Sequence, residues 1–369
     1  MANLRDRLKR IKEQKDSVPA RKEESREQDQ NPLILLEQGW VSCGFKVIKR
    51  DVNLPSPFEL IKNLPPSLAV LVNDLAGRKL PDIKDFLFFD LETTGLSGGA
   101  GTVAFLAAFG RIVSGSKLRI TQYLLLDYPG ENDFLENVLS EFKNKESVIV
   151  SYNGKCFDSQ IIKTRCLMNR MKIPEYWHVD LLHPARRLWK NIIADCSQAS
   201  VETKIMGIDR SGDIPGSLAP EIWFEFLKTG KTERLIGICD HNKADISGLA
   251  KILSAVISIA ADPFNMKYRF DLERLALYWR QYIRKISRYQ ALQTTDEELQ
   301  ATGENLLHLA AEKDYPQAVY VYGFDQMRKR NYARALEYVN RGLRIFEQGL
   351  IQHDKLLRRK ELLKRKTQN

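Results

Sequence analysis

The chain has 369 residues, of which 43% are hydrophobic, so it is too apolar for a disordered protein and long enough for two folded domains. Lysine and arginine total 57 against 47 acidic residues, and the net charge of +10 suits a polyanionic partner but also fits solvated helix surfaces. Five cysteines without a Cys-x-x-Cys pair argue against a disulfide framework, and the sequence predicts no apolar stretch that approaches the length of a bilayer span. We therefore expect a cytoplasmic protein without a membrane segment.

The first 85 residues precede the recognisable pattern of strands and helices. Residues 1–30 are rich in charged side chains and glutamine, which predicts a disordered or frayed helical arm. Residues 31–85 contain short apolar runs that are broken repeatedly by proline, at Pro55, Pro57, Pro65, Pro66 and Pro81. We interpret this part as a lead-in segment that wraps on the next domain.

Residues 86–260 alternate between strand and helix patterns. The apolar run at 86–91 predicts a buried strand that ends in a charge, and the segments 102–113 and 117–126 predict two more strands of a meander. Further along, the pattern predicts a helix at 131–145, a strand at 148–152, a helix at 158–171, a strand end at 179–180 and a helix at 181–192. This order predicts an α/β fold in which a ribonuclease H-like mixed sheet carries flanking helices.

The rest of the chain reads as helical. Helices are predicted at 221–228 and 232–258, and Ile246, Leu249, Ala250 and Leu253 form a stripe that would pack on the sheet and leave the opposite face for chemistry. Residues 266–369 predict an all-α region with a basic tail. Gly323, Tyr332 and Ala335 are spaced as in a tetratricopeptide repeat, although a generic helical hairpin fits nearly as well.

Acidic residues stand at the end of one predicted strand, at the start of one predicted helix and within another. Asp90 and Glu92 are two residues apart on a strand, so their side chains face the same side, which suits a cation site. Two acidic residues at this spacing, with no other evidence, are more often the solvated end of a strand. Asp158 begins a helix and by itself would be an ordinary cap. His241 and Asp245 are four apart and share a helix face.

The segments FDLETTGLSGGAGTVAF, SYNGKCFDSQII, HVDLLHPARRLW, GIDRSGDIPG and HNKADI occur in this order. They resemble the DEDD superfamily of 3′ to 5′ exonucleases and, more closely, the ribonuclease H-like domain of the YprB family. The resemblance implies that Asp90, Glu92, Asp158 and Asp245 bind two Mg²⁺ or Mn²⁺ ions and that single-stranded DNA or RNA is hydrolysed. His241 takes the general-base position, but a histidine four residues before the last aspartate mixes two patterns of the superfamily.

The same segments offer candidates for substrate binding, each with a structural alternative. Thr93, Thr94, Gly95 and Leu96 would flank the terminal nucleotide, or they would simply close the strand with a turn. Asn153 would bind the substrate strand or form the Asn-Gly turn, and Phe157 would stack on a base or join the core. His178 and His183 lack cysteines at zinc spacing, so we discard a zinc site.

A second hypothesis comes from another class of protein. In it, the chain is a non-catalytic module that binds nucleic acid or protein through the C-terminal helices. The presence of all four acids favours the nuclease.

Overall fold

The structure is a computed structural model, and it describes residues 38–58, 61, 63–95, 99, 101–114, 116–144, 146–265, 267–289 and 295–367. The predicted arm at 1–30 lies outside these residues. The described part contains a mixed sheet with flanking helices, followed by an all-helical region, as the sequence predicts.

The sheet has seven strands in the order β1-β2-β5-β4-β3-β6-β7. The strands are β1 Val41–Gly44, β2 Val47–Pro55, β3 Phe86–Thr93, β4 Ala104–Ser114, β5 Lys117–Leu125, β6 Val148–Ser151 and β7 Trp177–Asp180. In the spatial order of the sheet, each strand from β1 through β2, β5 and β4 to β3 is antiparallel to the next. Strand β6 runs parallel to β3, and β7 runs parallel to β6. The β3–β7 half therefore brings the carboxyl ends of three strands to one edge.

Strands β1 and β2 correct the interpretation of residues 31–85 as a lead-in. β2 pairs with β5 over nine residues, from Val47 opposite Leu125 to Pro55 opposite Lys117. Proline is tolerated there because it stands at the last position of the strand. The sheet therefore begins well before residue 86.

Helices cover both faces of the sheet. They are α1 Leu68–Leu71, α2 Glu131–Glu141, α3 Asp158–Met168, α4 Leu182–Trp189, α5 Gln198–Lys204, α6 Ala219–Thr229 and α7 Glu233–Ala261. Phe86 and Phe88 pack on the face covered by α1 and α7, whereas Leu87 and Phe89 pack on the face covered by α2, α3 and α6. Because side chains alternate along β3, Asp90 and Glu92 share the face of Phe88 and meet α7.

Helix α7 is long and apolar enough to cross a membrane by length and composition alone, which corrects the expectation that no stretch reaches that length. In its most apolar stretch, 61% of the residues are buried inside the protein. The predicted stripe of Ile246 and Leu249 does pack on the sheet. A Cβ atom at Gly110 of β4 would lie 2.5 Å from Cγ2 of Ile246, so glycine permits this close approach of helix and strand.

The C-terminal region consists of helices that pack on their neighbours in sequence: α8 Leu272–Tyr289, α9 Thr295–Glu312, α10 Pro316–Arg328, α11 Tyr332–Ile345 and α12 Ile351–Thr367. Ala335 is buried, and a Cβ atom at Gly323 would lie 3.1 Å from Cβ of Tyr338, so small residues let α10 and α11 approach closely. The region is all-helical as predicted, and its likeness to a tetratricopeptide repeat stays a prediction.

Candidate functional site

The first two acids lie at the end of β3, beneath the first half of α7. An oxygen of Asp90 accepts a hydrogen bond of 2.8 Å from the amide of Asn242. Glu92 is only 8% exposed, yet its carboxylate accepts no hydrogen bond from any of the described residues. A buried carboxylate without a donor is costly in free energy, so its surroundings favour a cation.

Helix α7 brings two further side chains to Glu92. Nε2 of His241 lies 3.9 Å from Oε1 of Glu92 and 3.4 Å from Oδ2 of Asp245. Ligand atoms of Glu92, His241 and Asp245 all lie within 4.8 Å of one another. The sequence pattern predicts the chemistry on the face of α7 opposite the stripe that packs on the sheet. His241 and Asp245 instead lie beside this stripe, because the site is between α7 and the end of β3.

Asp158 approaches from the neighbouring strand. It is the first residue of α3, it is 5% exposed, and it follows the turn that ends β6. The turn is tight, since a Cβ atom at Gly154 would lie 2.7 Å from Oδ2 of Asp158. Asp90 and Asp158 are not among the three side chains that converge most closely, but both act on that group electrostatically.

The acids raise one another's pKa. Burial raises the pKa of Asp90 well above its ordinary value, and Asp245, Asp158 and Glu92 raise it further, while Asn242 opposes the shift. Burial, Asp245, Asp158 and Asp213 likewise raise the pKa of Glu92. Burial, followed by the charge of Asp180, raises the pKa of Asp158 to about 7. Without a cation, these carboxyl groups therefore keep their protons to a higher pH than ordinary ones, because the protein by itself does not stabilise their full negative charge.

Arg210 is a central residue to which the sequence patterns gave no role. Its guanidinium binds Oε2 of Glu202 at 2.6 Å, Oδ2 of Asp213 at 2.7 Å and Oδ1 of Asp245. Glu202 is 1% exposed, so this arginine neutralises a buried charge and fixes one oxygen of Asp245. Arg210 lies in the segment GIDRSGDIPG, whose presence was the only signal available in the sequence.

A buried polar chain orients Asn242. Nε of Arg50 donates to Oε1 of Gln122 at 2.7 Å, and Nε2 of Gln122 donates to Oδ1 of Asn242 at 2.9 Å. The amide nitrogen of Asn242 therefore faces Asp90, since its oxygen already accepts from Gln122. Neither Gln122 nor Arg50 stands in a segment that suggested a role.

The substrate candidates after β3 form a turn. Oγ1 of Thr93 donates to the carbonyl oxygen of Gly95 at 2.8 Å, and Oγ1 of Thr94 accepts from the amide of Val103 at 2.9 Å. These bonds are those of a turn that closes the strand, and a role of Gly95 in substrate binding stays a prediction. Leu96 lies outside the described residues.

The candidates after β6 also have structural partners. Asn153 adopts a left-handed backbone conformation with φ of 63°, and its backbone N–H donates to Oδ1 of Asp180 at 2.8 Å, which fits the Asn-Gly turn. Phe157 is half-buried and packs against the core. His178 lies between the hydroxyl groups of Ser151 and Ser159, at 2.7 and 3.2 Å, and burial lowers its pKa to about 4.

The donor set fits divalent cations. The group combines carboxylate oxygens with one imidazole nitrogen, and hard oxygen donors suit Mg²⁺ and Mn²⁺. The uncompensated burial of Glu92 is the observation that favours a cation there. Fold and site together define a nuclease-type, ribonuclease H-like domain.

Comparison with known proteins agrees with this class. Residues 87–257 match the family described as the RNase_H superfamily. The uncharacterized protein YprB of Bacillus subtilis (strain 168) is 40% identical over 171 residues, which cover 46% of this chain and 41% of that protein. The chain is therefore similar to YprB over less than half the length of either protein.

Proposed function

We propose that this protein is a metal-dependent nuclease that hydrolyses phosphodiester bonds of single-stranded DNA or RNA, as a 3′ to 5′ exonuclease of the DEDD type. The observation that carries the proposal is the convergence of acids from β3, α3 and α7, with the buried carboxylate of Glu92 receiving no hydrogen bond from the described residues. The match of residues 87–257 to the RNase_H superfamily supports the same reaction class.

In this proposal Asp90, Glu92, Asp158 and Asp245 bind two Mg²⁺ or Mn²⁺ ions. When bound, the ions would neutralise the phosphate and activate the attacking water. The protein's own contribution is orientation: Asn242 fixes the carboxylate of Asp90, and Arg210 fixes that of Asp245. These two ligands are thereby restricted before substrate arrives, which reduces the entropy lost on binding.

The substrate enters beside the turn after β3 in this proposal. The backbone of Gly95 and the side chain of Leu96 would contact the terminal nucleotide, and Asn153 and Phe157 would contact the strand on the other side. Helices α8–α12 would provide a surface for a protein partner or for the outgoing strand.

Cleavage of 5′-labelled oligonucleotides tests the proposal. Single-stranded DNA and RNA are incubated with the intact protein and Mn²⁺ or Mg²⁺, beside an Asp90→Ala variant. A ladder that shortens from the 3′ end with the wild type alone is the expected result, and the preferred sugar names the substrate. Internal cuts would replace the exonuclease with an endonuclease. No cleavage by a folded, metal-supplied protein would favour a binding module instead.

A further inference from the structure

His241 and its neighbours have the arrangement of a metal-binding histidine. Nδ1 lies 2.9 Å from Oδ1 of Asp213, so one ring nitrogen already has a hydrogen-bond partner. Histidines that bind metals usually donate their other N–H to a carboxylate or carbonyl, which fixes the tautomer. With the proton on Nδ1, the lone pair of Nε2 is directed at Glu92 and Asp245.

The distances around Nε2 match those between ligands of one ion. Metal bonds from histidine nitrogen and carboxylate oxygen are about 2.1 Å long, so two ligands of one ion lie about 3 to 4.2 Å apart. Nε2 lies 3.4 Å from Asp245 and 3.9 Å from Glu92. Glu92 is 8% exposed and its carboxylate accepts no hydrogen bond within the described part of the chain, so besides His241 it has a free oxygen valence for an ion at the same point.

A glycine keeps the space beside Nε2 free. A Cβ atom at Gly216 would lie 2.9 Å from Nε2 and 3.8 Å from Oε2 of Glu92. Any larger residue at this position would therefore occupy the space between the imidazole and the carboxylate. The segment that contributes Asp213 thus also leaves room at the ring nitrogen that faces the acids.

We infer that His241 is a metal ligand through Nε2, together with Glu92 and Asp245, and that Asp213 is its positioning residue. This inference rests on the proposed function, and it replaces the general-base role that the resemblance implies for His241. A nitrogen donor shifts preference from Mg²⁺, which binds oxygen, toward Mn²⁺ and other transition-metal ions. The histidine thus favours Mn²⁺ over Mg²⁺ at this site.

Pulsed electron paramagnetic resonance of the intact protein with Mn²⁺ tests the inference directly. We expect a ¹⁴N coupling from a coordinated imidazole in the wild type and its loss in His241→Gln. The exposed His183 provides the matched control, and His183→Gln should retain the coupling. Titration should show Mn²⁺ binding about tenfold to a hundredfold weaker in His241→Gln, and about tenfold weaker in Asp213→Asn.

The outcomes separate this inference from the proposed nuclease. Cleavage by wild type whose bound Mn²⁺ lacks a nitrogen coupling would overturn the ligand role and leave the nuclease standing. A coupling that disappears in His241→Gln, without cleavage of any oligonucleotide, would support the ligand role and overturn the nuclease. A coupling that persists in His241→Gln, or failure of Mn²⁺ to bind the wild type, would overturn the inference.

Discussion

The ends of β3 and β7 both carry buried carboxylates, but only one of these is satisfied by the protein. Asp180, at the end of β7, is 1% exposed and accepts hydrogen bonds from the backbone amides of Asn153, Lys155 and Leu182. Glu92, on β3, is 8% exposed and accepts none from the described residues, while nearby acids raise its pKa. The first acid closes a turn, and the second has the surroundings of a cation ligand.

The contrast between Glu92 and Asp180 predicts that removing their charges has opposite effects on stability. The largest expected effect, on cleavage, is at Glu92. Glu92→Gln should reduce metal-dependent cleavage about a thousandfold, because losing one ligand removes several kcal/mol of transition-state stabilisation. Without metal, the same variant should be more stable than wild type, since a neutral amide avoids burial of charge and repulsion by Asp245.

Single-turnover cleavage and thermal unfolding in EDTA measure the two effects of Glu92→Gln. The control is Glu136→Gln on the exposed face of α2, which should change neither quantity. If Glu92→Gln unfolded at a lower temperature than wild type in EDTA, Glu92 would be a structural residue like Asp180.

At Asp180 the expected effect is on stability. Asp180→Ala removes the acceptor of three backbone amides, and unsatisfied donors should lower the free energy of unfolding by about 2–4 kcal/mol. Urea denaturation should show the same loss with EDTA and with Mn²⁺, because no cation takes part. Asp180→Asn keeps an accepting oxygen and should lose less. A loss that Mn²⁺ reverses would place Asp180 among the metal ligands.

The dependence of stability on pH gives a smaller test. In the folded protein the pKa of Asp158 is raised to about 7 from an ordinary value of 3.8, mainly by burial. Between these values the folded state binds more protons than the unfolded state, so the free energy of unfolding should fall as pH rises, and it should stay low above about pH 7.

Thermal unfolding of the metal-free protein from pH 4.5 to 8 measures this slope. The unfolding temperature of the wild type should fall as pH rises, by on the order of 2–4 °C for each kcal/mol of stability lost. Asp158→Asn should reduce the fall but not abolish it, because the raised pKa values of Asp90 and Glu92 act in the same direction. An unchanged slope in Asp158→Asn would contradict the raised pKa of this group.

The sequence predicts those elements of the fold whose hydrophobic residues form a regular pattern within one strand or helix. The apolar runs of β3 and β6 and the stripe on α7 identify buried elements, so most of the order from residue 86 onward follows from the sequence, whereas the short helix α5 was not predicted. Strand β2 was not predicted, because prolines interrupt the apolar runs around it and because its partner β5 lies about seventy residues away along the chain. Pairing over such a distance leaves no periodic signal.

The residues of the site also fall into those that the sequence predicts and those that only the structure identifies. Asp90, Glu92 and Asp158 were candidates because they lie at the end of a strand or the start of a helix, and Asp245 because it shares a helix face with His241; all four stand within recognisable segments. Arg210, Asp213 and Gln122 act through partners on other elements, and nothing in their immediate sequence indicates a buried ion pair or an amide chain. Side chains that orient ligands are therefore found only when the structure brings the elements together.

The smallest expected effect concerns the helical region, whose charges are exposed rather than buried. Lys355, Arg358 and Arg365 project from α12 into solvent, in contrast to the enclosed charges at β3. If single strands follow this surface, replacing all three by alanine should weaken binding a few-fold at low salt. The salt dependence should fall too, since each lost phosphate contact reduces the logarithmic slope by about 0.7.

Fluorescence anisotropy of a labelled single-stranded oligonucleotide, titrated at several salt concentrations, measures both quantities. A matched variant replaces Lys143, Lys163 and Lys172, which are equally exposed on the α2 and α3 side of the sheet domain. Both variants remove three positive charges, so a purely nonspecific attraction to the net charge of the protein would weaken binding equally in the two. A larger loss in the α12 variant would assign the helical region to the path of the substrate, whereas equal losses would leave α8–α12 as a surface for another partner.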